Sequence, residues 1–278
     1  MKKSKLAKAL ILAGVFIALA IVYLPILIVI IFSFSDGPRV GQWGEVSFEN
    51  YRTLFSSGLI WEALGNTLLI AAVAAILATL IGTITALGIH YMKRKSRRSF
   101  VTTNRVMMIL PAVVMALALR LFFTATGFAP LGYTTLIIAH TIITIPFVIL
   151  TVLPRLAHLN PNVYDAGQDL GASNARTLFT VILPQLIPAM IAGFAIAFVL
   201  SIDEFVISIF NNGAGFNIQT LSIYLYTHVA RRGIPGVVLS MSSFIFVISF
   251  IILIAINVVQ TKRAKKFSRP VAITSLAK

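Results

Sequence analysis

The sequence predicts an all-α membrane protein with six transmembrane helices, because of its composition, its long apolar runs and the placement of its charges. Of its 278 residues, 58% are hydrophobic and 11% are charged, whereas soluble domains are about 25% charged. Several charge-free runs reach the roughly 20 residues that a helix needs to cross the hydrocarbon core of a bilayer. We therefore expect a single transmembrane domain over residues 1–278, without a large soluble domain.

Six apolar segments qualify as spans, and polar or basic loops separate them. The first apolar run continues too far for a cleaved signal peptide. Pro146 is expected to kink the fourth span, and a glycine- and proline-rich turn at 127–132 separates the third span from the fourth. The predicted spans are residues 9–34, 63–91, 106–126, 133–153, 185–210 and 236–259.

Positive charges concentrate on one side of the predicted membrane. An even number of spans places both termini on the same side, together with the N-terminal lysines, the basic cluster 93–105 and the basic C-terminal tail. The opposite side carries four arginines. The positive-inside rule then predicts that both termini are cytoplasmic. We therefore attribute the net charge of +15 to basic clusters that set the membrane topology and contact anionic lipid headgroups, and not to nucleic-acid binding.

Several kinds of chemistry are excluded by residue type and spacing. The chain has no cysteine and four histidines, and the histidines lie too far apart in sequence to indicate a metal site. No Gly-x-x-x-x-Gly-Lys-Ser/Thr phosphate loop is present, so any ATP must be held by another chain. The sequence predicts no catalytic residue, no metal and no cofactor in this chain.

Residues 154–184, here called the polar segment, separate the fourth span from the fifth. The Asn-Pro pair at 160–161 favours the start of a helix. Asp165 and Asp169 lie one turn apart and therefore share a helix face. Gly171 suits the left-handed position that ends a helix.

A second helix is expected to follow in the polar segment. Ser173 can cap it, it runs toward Leu183, and Pro184 suits the start of the fifth span. An amphipathic helix that only lies in lipid headgroups is the alternative. That alternative fits poorly, because Asp165 and Asp169 would face an anionic leaflet. A protein partner explains the segment better.

The polar segment resembles the cytoplasmic "EAA" loop of ABC-importer permeases, which reads Glu-Ala-Ala, three residues, Gly, nine residues, then Ile-x-Leu-Pro. Asp165 stands in place of Glu and keeps the negative charge. Gly167 stands in place of the second Ala and lowers helix propensity by about 1 kcal/mol. The resemblance implies that the segment docks in a groove of an ATPase subunit. The expected coupling residues are Asp165, Ala166, Gly167, Asp169, Gly171, Leu183 and Pro184.

Two of the eight acidic residues, Asp203 and Glu204, fall inside a predicted span. An ion at that depth costs roughly 2.5–3.5 kcal/mol on insertion scales, so such residues usually face a cavity or a partner. Counted from the outer ends of their spans, both acids, Arg120 and His140 lie about 9–10 Å deep. We therefore expect one polar layer at this level.

The roles within this layer follow from helix geometry. Neighbouring residues on a helix point about 100° apart, so only one of the two acids is expected to face a pathway. Asp203 is the preferred pathway acid. Glu204 is then expected to pair with Arg120 or His140, although Arg120 can also extend to the outer surface. His140 is expected to be a hydrogen-bonded interior histidine.

Stretches at 110–116, 140–148 and 201–204 resemble the second permease subunit of spermidine/putrescine ABC importers, and the resemblance covers roughly residues 10–260. It implies a bacterial inner-membrane protein that pairs with a similar permease, so that each forms half of the translocation path. Two cytoplasmic ATPase subunits would hold ATP and Mg, and an external binding protein would deliver substrate to outward loops that include residues 211–235. A cationic substrate fits the acids of the fifth span.

Three alternatives remain open from the sequence. Related permeases for thiamine, iron or anions share the architecture. An ion-coupled secondary transporter or channel could use Asp203, Glu204 and His140 as a relay. A membrane-embedded enzyme is the weakest alternative, because no nucleophile–base or metal-ligand spacing is present. Co-purification with an ATPase would favour the importer, and transport that follows the proton gradient would favour the secondary transporter.

Overall fold

The structure is a computed structural model that describes residues 2–37, 42–160, 162–213, 218–232 and 235–267. The all-α fold is confirmed: within these ranges the regular elements are helices, apart from an isolated antiparallel bridge between Ser35 and Val46. The helices are α1 (Lys2–Phe32), α2 (Glu49–Ser56), α3 (Gly58–Tyr91), α4 (Arg94–Ile109), α5 (Ala112–Thr126), α6 (Tyr133–Ala157), α7 (Asn162–Asp169), α8 (Asn174–Thr177), a π-helix (Leu178–Ile182), α9 (Leu183–Asp203), α10 (Val206–Asn211), α11 (Leu221–Arg232) and α12 (Gly236–Phe267).

The described helices confirm a multi-pass membrane protein. Among the residues that the structure describes, four helical stretches are long and apolar enough to cross a bilayer, namely Ala7–Phe32, Gly58–Tyr91, Tyr133–Ala157 and Asn174–Asp203. The pair α4 and α5 passes the same test together, which raises the number to five. The apolar described part of α12, Gly236–Ile251, is shorter.

The predicted third span, 106–126, is not one continuous helix. α4 and α5 are separated at Leu110 and Pro111 and meet at an angle of 102°. Both linking residues have extended backbone, with ψ of 133°. Proline lacks the N–H that would continue α4 and restricts the residue before it to extended conformations. In addition, α4 begins at Arg94, so most of the basic cluster is helical rather than a loop.

The chain divides into two compact units, Leu59–Thr227 and a unit formed by Met1–Gly58 with His228–Lys278. In the second of these, α2 packs against α12 and α12 packs against α1. The Tyr51 hydroxyl lies 2.8 Å from Ser33 Oγ and donates to Ser243 Oγ at 3.2 Å. Asn50 Nδ2 donates to the Ser35 carbonyl at 2.8 Å. A single transmembrane domain stays a prediction.

In the unit Leu59–Thr227, small residues allow helices to approach closely. α6 packs along α9, and Val148 of α6 lies against glycine in two other helices. A Cβ added to Gly82 of α3 would lie 2.8 Å from Val148 Cγ1, and one added to Gly193 of α9 would lie 3.2 Å from the same atom. Within a bilayer, helix association depends on such close packing, because lipid removes the hydrophobic driving force between helices.

Candidate functional site

The polar segment begins with the predicted cap. The Asn160 side-chain oxygen accepts a hydrogen bond from Asn162 N at 3.0 Å, and its carbonyl accepts from Val163 N at 3.1 Å. An asparagine side chain thus satisfies one of the unpaired N–H groups at the start of α7, as the sequence predicts. Pro161 lies outside the described residues.

Gly171 ends α7 in the left-handed conformation that the sequence predicts. Its φ is +80°. Its N–H donates to the Gln168 carbonyl at 2.8 Å, and Ala172 N donates to the Gly167 carbonyl at 3.1 Å. This pair of hydrogen bonds is the Schellman motif, which satisfies the last carbonyls of a helix. The chain therefore reverses sharply after Leu170.

Gly167, one of the two departures from the EAA pattern, is explained by a contact. A Cβ at this position would lie 2.8 Å from Thr177 Cγ2 and 3.1 Å from Thr177 Oγ1. Thr177 is fully buried, so its side chain occupies the volume that an alanine would need. The sequence predicted only a loss of helix propensity at Gly167. It could not show that α7 and α8 approach each other here.

The second helix of the polar segment differs from the prediction. Ser173 caps it as expected, since its Oγ accepts from Arg176 N at 3.4 Å. However, α8 is only four residues long and continues into a five-residue π-helix before α9 begins at Leu183. Pro184 lies in the first turn of α9 as predicted. Because Pro184 has no N–H, a continuous α-helix would leave the Thr180 carbonyl without its donor, and the π turn changes the hydrogen bonding just before this point.

The outer surface of α7 carries acidic and apolar side chains. Asp165 and Asp169 are exposed, and Leu170 is 89% exposed. A cavity of about 320 Å³ lies between α7 and the ends of α3 and α6, and Tyr91, Asn160, Tyr164 and Asp165 belong to its lining. Two carboxylates beside an exposed leucine form a surface suited to a partner with an apolar groove and basic or N–H donors at its rim.

The predicted ion pairs of the intramembrane layer are absent from the described residues. The Arg120 guanidinium donates to the Phe210 carbonyl, one of the last carbonyls of α10, which have no donor within the helix. His140 is 1% exposed, and its ring nitrogens lie 2.8 Å from Ser201 Oγ and 3.0 Å from Ser208 Oγ. Thus neither Arg120 nor His140 pairs with Glu204, whereas the hydrogen-bonded interior histidine is confirmed.

Asp203 and Glu204 lie at a break in the predicted fifth span. α9 ends at Asp203, Glu204 is extended with ψ of 100°, and α10 begins at Val206. The argument from helix geometry that separated the two acids by about 100° therefore does not apply, because it assumes a continuous helix. Glu204 Oε1 accepts a hydrogen bond from Ile207 N at 3.0 Å. Asp203 is exposed and Glu204 is partly buried.

A cavity of about 180 Å³ lies between the two broken spans. Glu204 is the charged residue of its lining, and Asp203 does not belong to it. The other lining residues are mainly thioether, aliphatic and aromatic. They are Met107, Met108, Leu110, Ala112, Met115, Ile142, Ile143, Thr144, Pro146, Phe147, Leu200 and Ile207. One carboxylate in an otherwise apolar cavity can hold a cationic group whose hydrocarbon part contacts the walls.

Sequence reasoning missed the polar residues that hold these breaks. Asn104 is buried in α4 and donates to the Pro146 carbonyl at 3.1 Å. Ser201 and Ser208 flank the second break and contact His140. The helix is broken between the two serines, so helical spacing in the sequence could not have shown that both contact His140.

Apolar spans, an intramembrane cavity with one carboxylate and a capped polar segment define a membrane-embedded transport subunit. The chain belongs to the family described as binding-protein-dependent transport system inner membrane component, whose sequence model matches residues 78–265. It is therefore the multi-pass permease subunit of an ABC importer in the inner membrane, and the resemblance found from the sequence is confirmed.

The curated relatives include polyamine permeases. The chain is 28% identical over 250 residues to the spermidine/putrescine transport system permease protein PotC of Haemophilus influenzae, covering 90% of this chain and 96% of the relative. It is 31% identical over 246 residues to PotC of Escherichia coli K12, covering 88% and 92%. It is 31% identical over 218 residues to the putrescine permease PotI of the same strain, covering 76% of each chain.

Solved structures show the same fold. A chain of a bacterial ABC transporter involved in the import of the acidic polysaccharide alginate has a TM-score of 0.71 at 16% identity and covers 94% of this chain and 98% of that chain. The alginate transporter in complex with a pentasaccharide-bound periplasmic protein has a TM-score of 0.66 at 16% identity, covering 99% and 98%. At this identity the similarity concerns the fold alone.

Proposed function

We propose that this permease carries polyamines such as spermidine or putrescine and forms half of the translocation path. The observation that carries the proposal is Glu204 in the apolar cavity between the two broken spans. A polyamine presents ammonium groups joined by methylene chains, so it needs a carboxylate and apolar walls together. The names of the PotC and PotI relatives support the same substrate class.

Glu204 is suited to bind an ammonium group and to release it. One carboxylate oxygen, Oε1, accepts from Ile207 N at 3.0 Å, whereas Oε2 has no hydrogen-bond partner among the residues that the structure describes. A single charged contact holds a cation without fixing it, and conduction requires a site of that kind. The geometry thus favours Glu204 over Asp203 as the pathway acid. Asp203, exposed at the end of α9, stays a second candidate.

The polar segment serves as the docking surface for the ATPase subunit. Asp165, Asp169 and the exposed Leu170 supply the contacting side chains. Gly167 and Gly171 hold the two short helices in place, and Ala166, Leu183 and Pro184 complete the EAA-like pattern. This role would place the polar segment in the cytoplasm and, with the six predicted spans, both termini as well, in agreement with the positive-inside rule.

The complete transporter would contain this chain, a similar permease, two ATPase subunits and an external binding protein. ATP and Mg would be held by the ATPase subunits, and this chain would contribute movement and a pathway rather than catalysis. Closure of the ATPase pair around ATP would move the polar segments and open the path alternately to each side.

The rival functions have less support from the geometry. A proton relay through His140 would need titratable groups at both ends, whereas its ring nitrogens contact serine hydroxyls and the Ser208 hydroxyl donates to the Glu204 backbone carbonyl. An anion path would need a cation in the cavity, whereas the charged residue of its lining is Glu204. A permease for another small cation, such as thiamine, is the remaining alternative, because it would also use Glu204.

Substrate-loaded binding proteins and two isosteric variants test the proposal. The complex is reconstituted in proteoliposomes, and ATPase stimulation is measured with binding proteins loaded with spermidine, putrescine or thiamine. Glu204→Gln is expected to lower putrescine uptake about tenfold or more while ATPase subunits remain bound, because the carboxylate that attracts the cation is lost. Asp203→Asn is the matched comparison and is expected to have the smaller effect. Normal uptake with Glu204→Gln would remove Glu204 from the pathway, and stimulation by thiamine alone would overturn the polyamine assignment.

A further inference from the structure

His140 bridges the break between α9 and α10. Its imidazole belongs to α6 and is 1% exposed. Nδ1 lies 2.8 Å from the hydroxyl of Ser201, which precedes the break. Nε2 lies 3.0 Å from the hydroxyl of Ser208, which follows it. One ring therefore contacts both helical pieces, and Glu204 lies in the chain between the two contacts.

The hydrogen positions in this network follow from donor counting. The Ser208 hydroxyl donates its single hydrogen to the Glu204 carbonyl at 2.8 Å. Ser208 Oγ must therefore accept from His140, which makes Nε2 the protonated nitrogen of a neutral ring. Nδ1 is then the acceptor for the Ser201 hydroxyl. Both hydrogen-bonding positions of the imidazole are occupied, and the network ends on the backbone of Glu204.

The break needs such a network because it lies within the predicted fifth span, 185–210. Backbone groups that leave a helix there find no water, and each unsatisfied group costs several kcal/mol. Ser208 Oγ satisfies the Glu204 carbonyl, and Glu204 Oε1 satisfies Ile207 N. His140 fixes the serine that makes the first of these bonds. Without the ring, the extended residue Glu204 loses the support that holds its carboxylate at the cavity.

We propose that His140 is a positioning residue for substrate binding: it holds the α9–α10 break open, so that Glu204 points its carboxylate into the cavity. This inference rests on the proposed function, because it treats Glu204 as the group that contacts the cargo. His140 itself does not line the cavity and acts through Ser208 and the backbone of Glu204.

The first experiment measures the break without reference to transport. The chain contains no cysteine, so spin labels can be attached to cysteines introduced at Ile196 and Ile209, which are 41% and 37% exposed. The distance distribution between the labels is recorded in the complete transporter by pulsed electron paramagnetic resonance. His140→Leu and Ser208→Ala are expected to broaden or shift it. His140→Gln is expected to preserve it, because the side-chain amide offers an NH2 group as donor and a carbonyl oxygen as acceptor. An unchanged distribution in His140→Leu would overturn the proposal.

The second experiment measures putrescine uptake in a double-mutant cycle. His140→Leu is expected to raise the KM for putrescine about fivefold with a smaller effect on the maximal rate, which is the signature of lost binding. In the Glu204→Gln background the same change is expected to add nothing, because coupled residues are not additive. Effects that multiply would overturn the proposal. Normal uptake in Glu204→Gln combined with an altered label distance would overturn the proposed role of Glu204, and would leave His140 as a structural clamp only. Ser208→Ala, which removes one hydroxyl, provides the same test if His140→Leu assembles poorly.

Discussion

At the residue scale, Asp165 is an exposed carboxylate on α7, and no ion pair within the described part of the chain requires it. Asp165→Lys is therefore expected to leave the helices folded and to reduce ATPase retention and uptake about tenfold or more, because opposed like charges cost several kcal/mol at an interface. Co-purification of the ATPase and proteoliposome uptake measure the two effects. Glu62→Lys, an exposed charge reversal at the beginning of α3, is the control and should retain the ATPase. Full retention with Asp165→Lys would show that the docking surface lies elsewhere.

Gly167 provides a second test at this scale, because the two physical effects at this position have opposite signs. Gly167→Ala raises helix propensity by about 1 kcal/mol, but the added Cβ would lie 2.8 Å from Thr177 Cγ2. Overpacking of this kind costs about 1–3 kcal/mol, so the substitution toward the family pattern is expected to lower thermal stability and ATPase retention. Thr177→Ser removes the obstructing methyl group and should partly restore both. Wild-type stability in Gly167→Ala would contradict the close approach of α7 and α8.

At the element scale, the contact between α3 and α6 depends on one glycine. Gly82→Ala places a carbon 2.8 Å from Val148 and should destabilise the protein by about 1–3 kcal/mol. Gly88→Ala, six residues further along the same helix, meets nothing within 4 Å and should be neutral or slightly stabilising. Thermal melting of the two variants, followed by size-exclusion chromatography, compares the same chemical change at two sites. Equal melting temperatures would exclude the close contact.

The elements also show which features a sequence can predict. Hydropathy indicated the multi-pass helical fold because a bilayer requires long apolar runs, and Gly171 was predictable because a left-handed helix end strongly favours glycine. The break after Asp203 was not predicted, because neither glycine nor proline marks it. Its hydrogen bonds come from Ser208 and from His140 on another helix, and such partners depend on tertiary packing.

The candidate site was predictable to a similar extent. Placing an acidic residue inside an apolar span costs free energy, and that cost alone indicates a functional role. Asp203 and Glu204 could therefore be identified from the sequence. Their separate roles could not, because the expectation assumed a continuous helix. Pro111 was visible in the sequence, yet the 102° bend that forms one wall of the cavity depends on how α4 and α5 pack against α6.

At the scale of the whole molecule, the energy source distinguishes an ABC importer from an ion-coupled transporter. Putrescine uptake by proteoliposomes containing the complete transporter is expected to stop when ATP is omitted and to continue when a protonophore removes the proton gradient. No ion flow needs to be coupled, because ATP held by the partner ATPase subunits would supply the energy. Uptake driven by a proton gradient without ATP would contradict the importer mechanism for this chain.

The valine between two glycines also limits how this protein can move. Val148 lies against the backbone of Gly82 on α3 and of Gly193 on α9. If α3 or α9 slid along α6, the methyl groups of Val148 would be forced against a residue that carries a Cβ. The three helices are therefore expected to travel as one rigid body, and displacement during a transport cycle would concentrate at the break between α4 and α5, at 110–111. A covalent cross-link between α6 and α9 should then leave turnover intact, whereas a cross-link between α4 and α5 should arrest it.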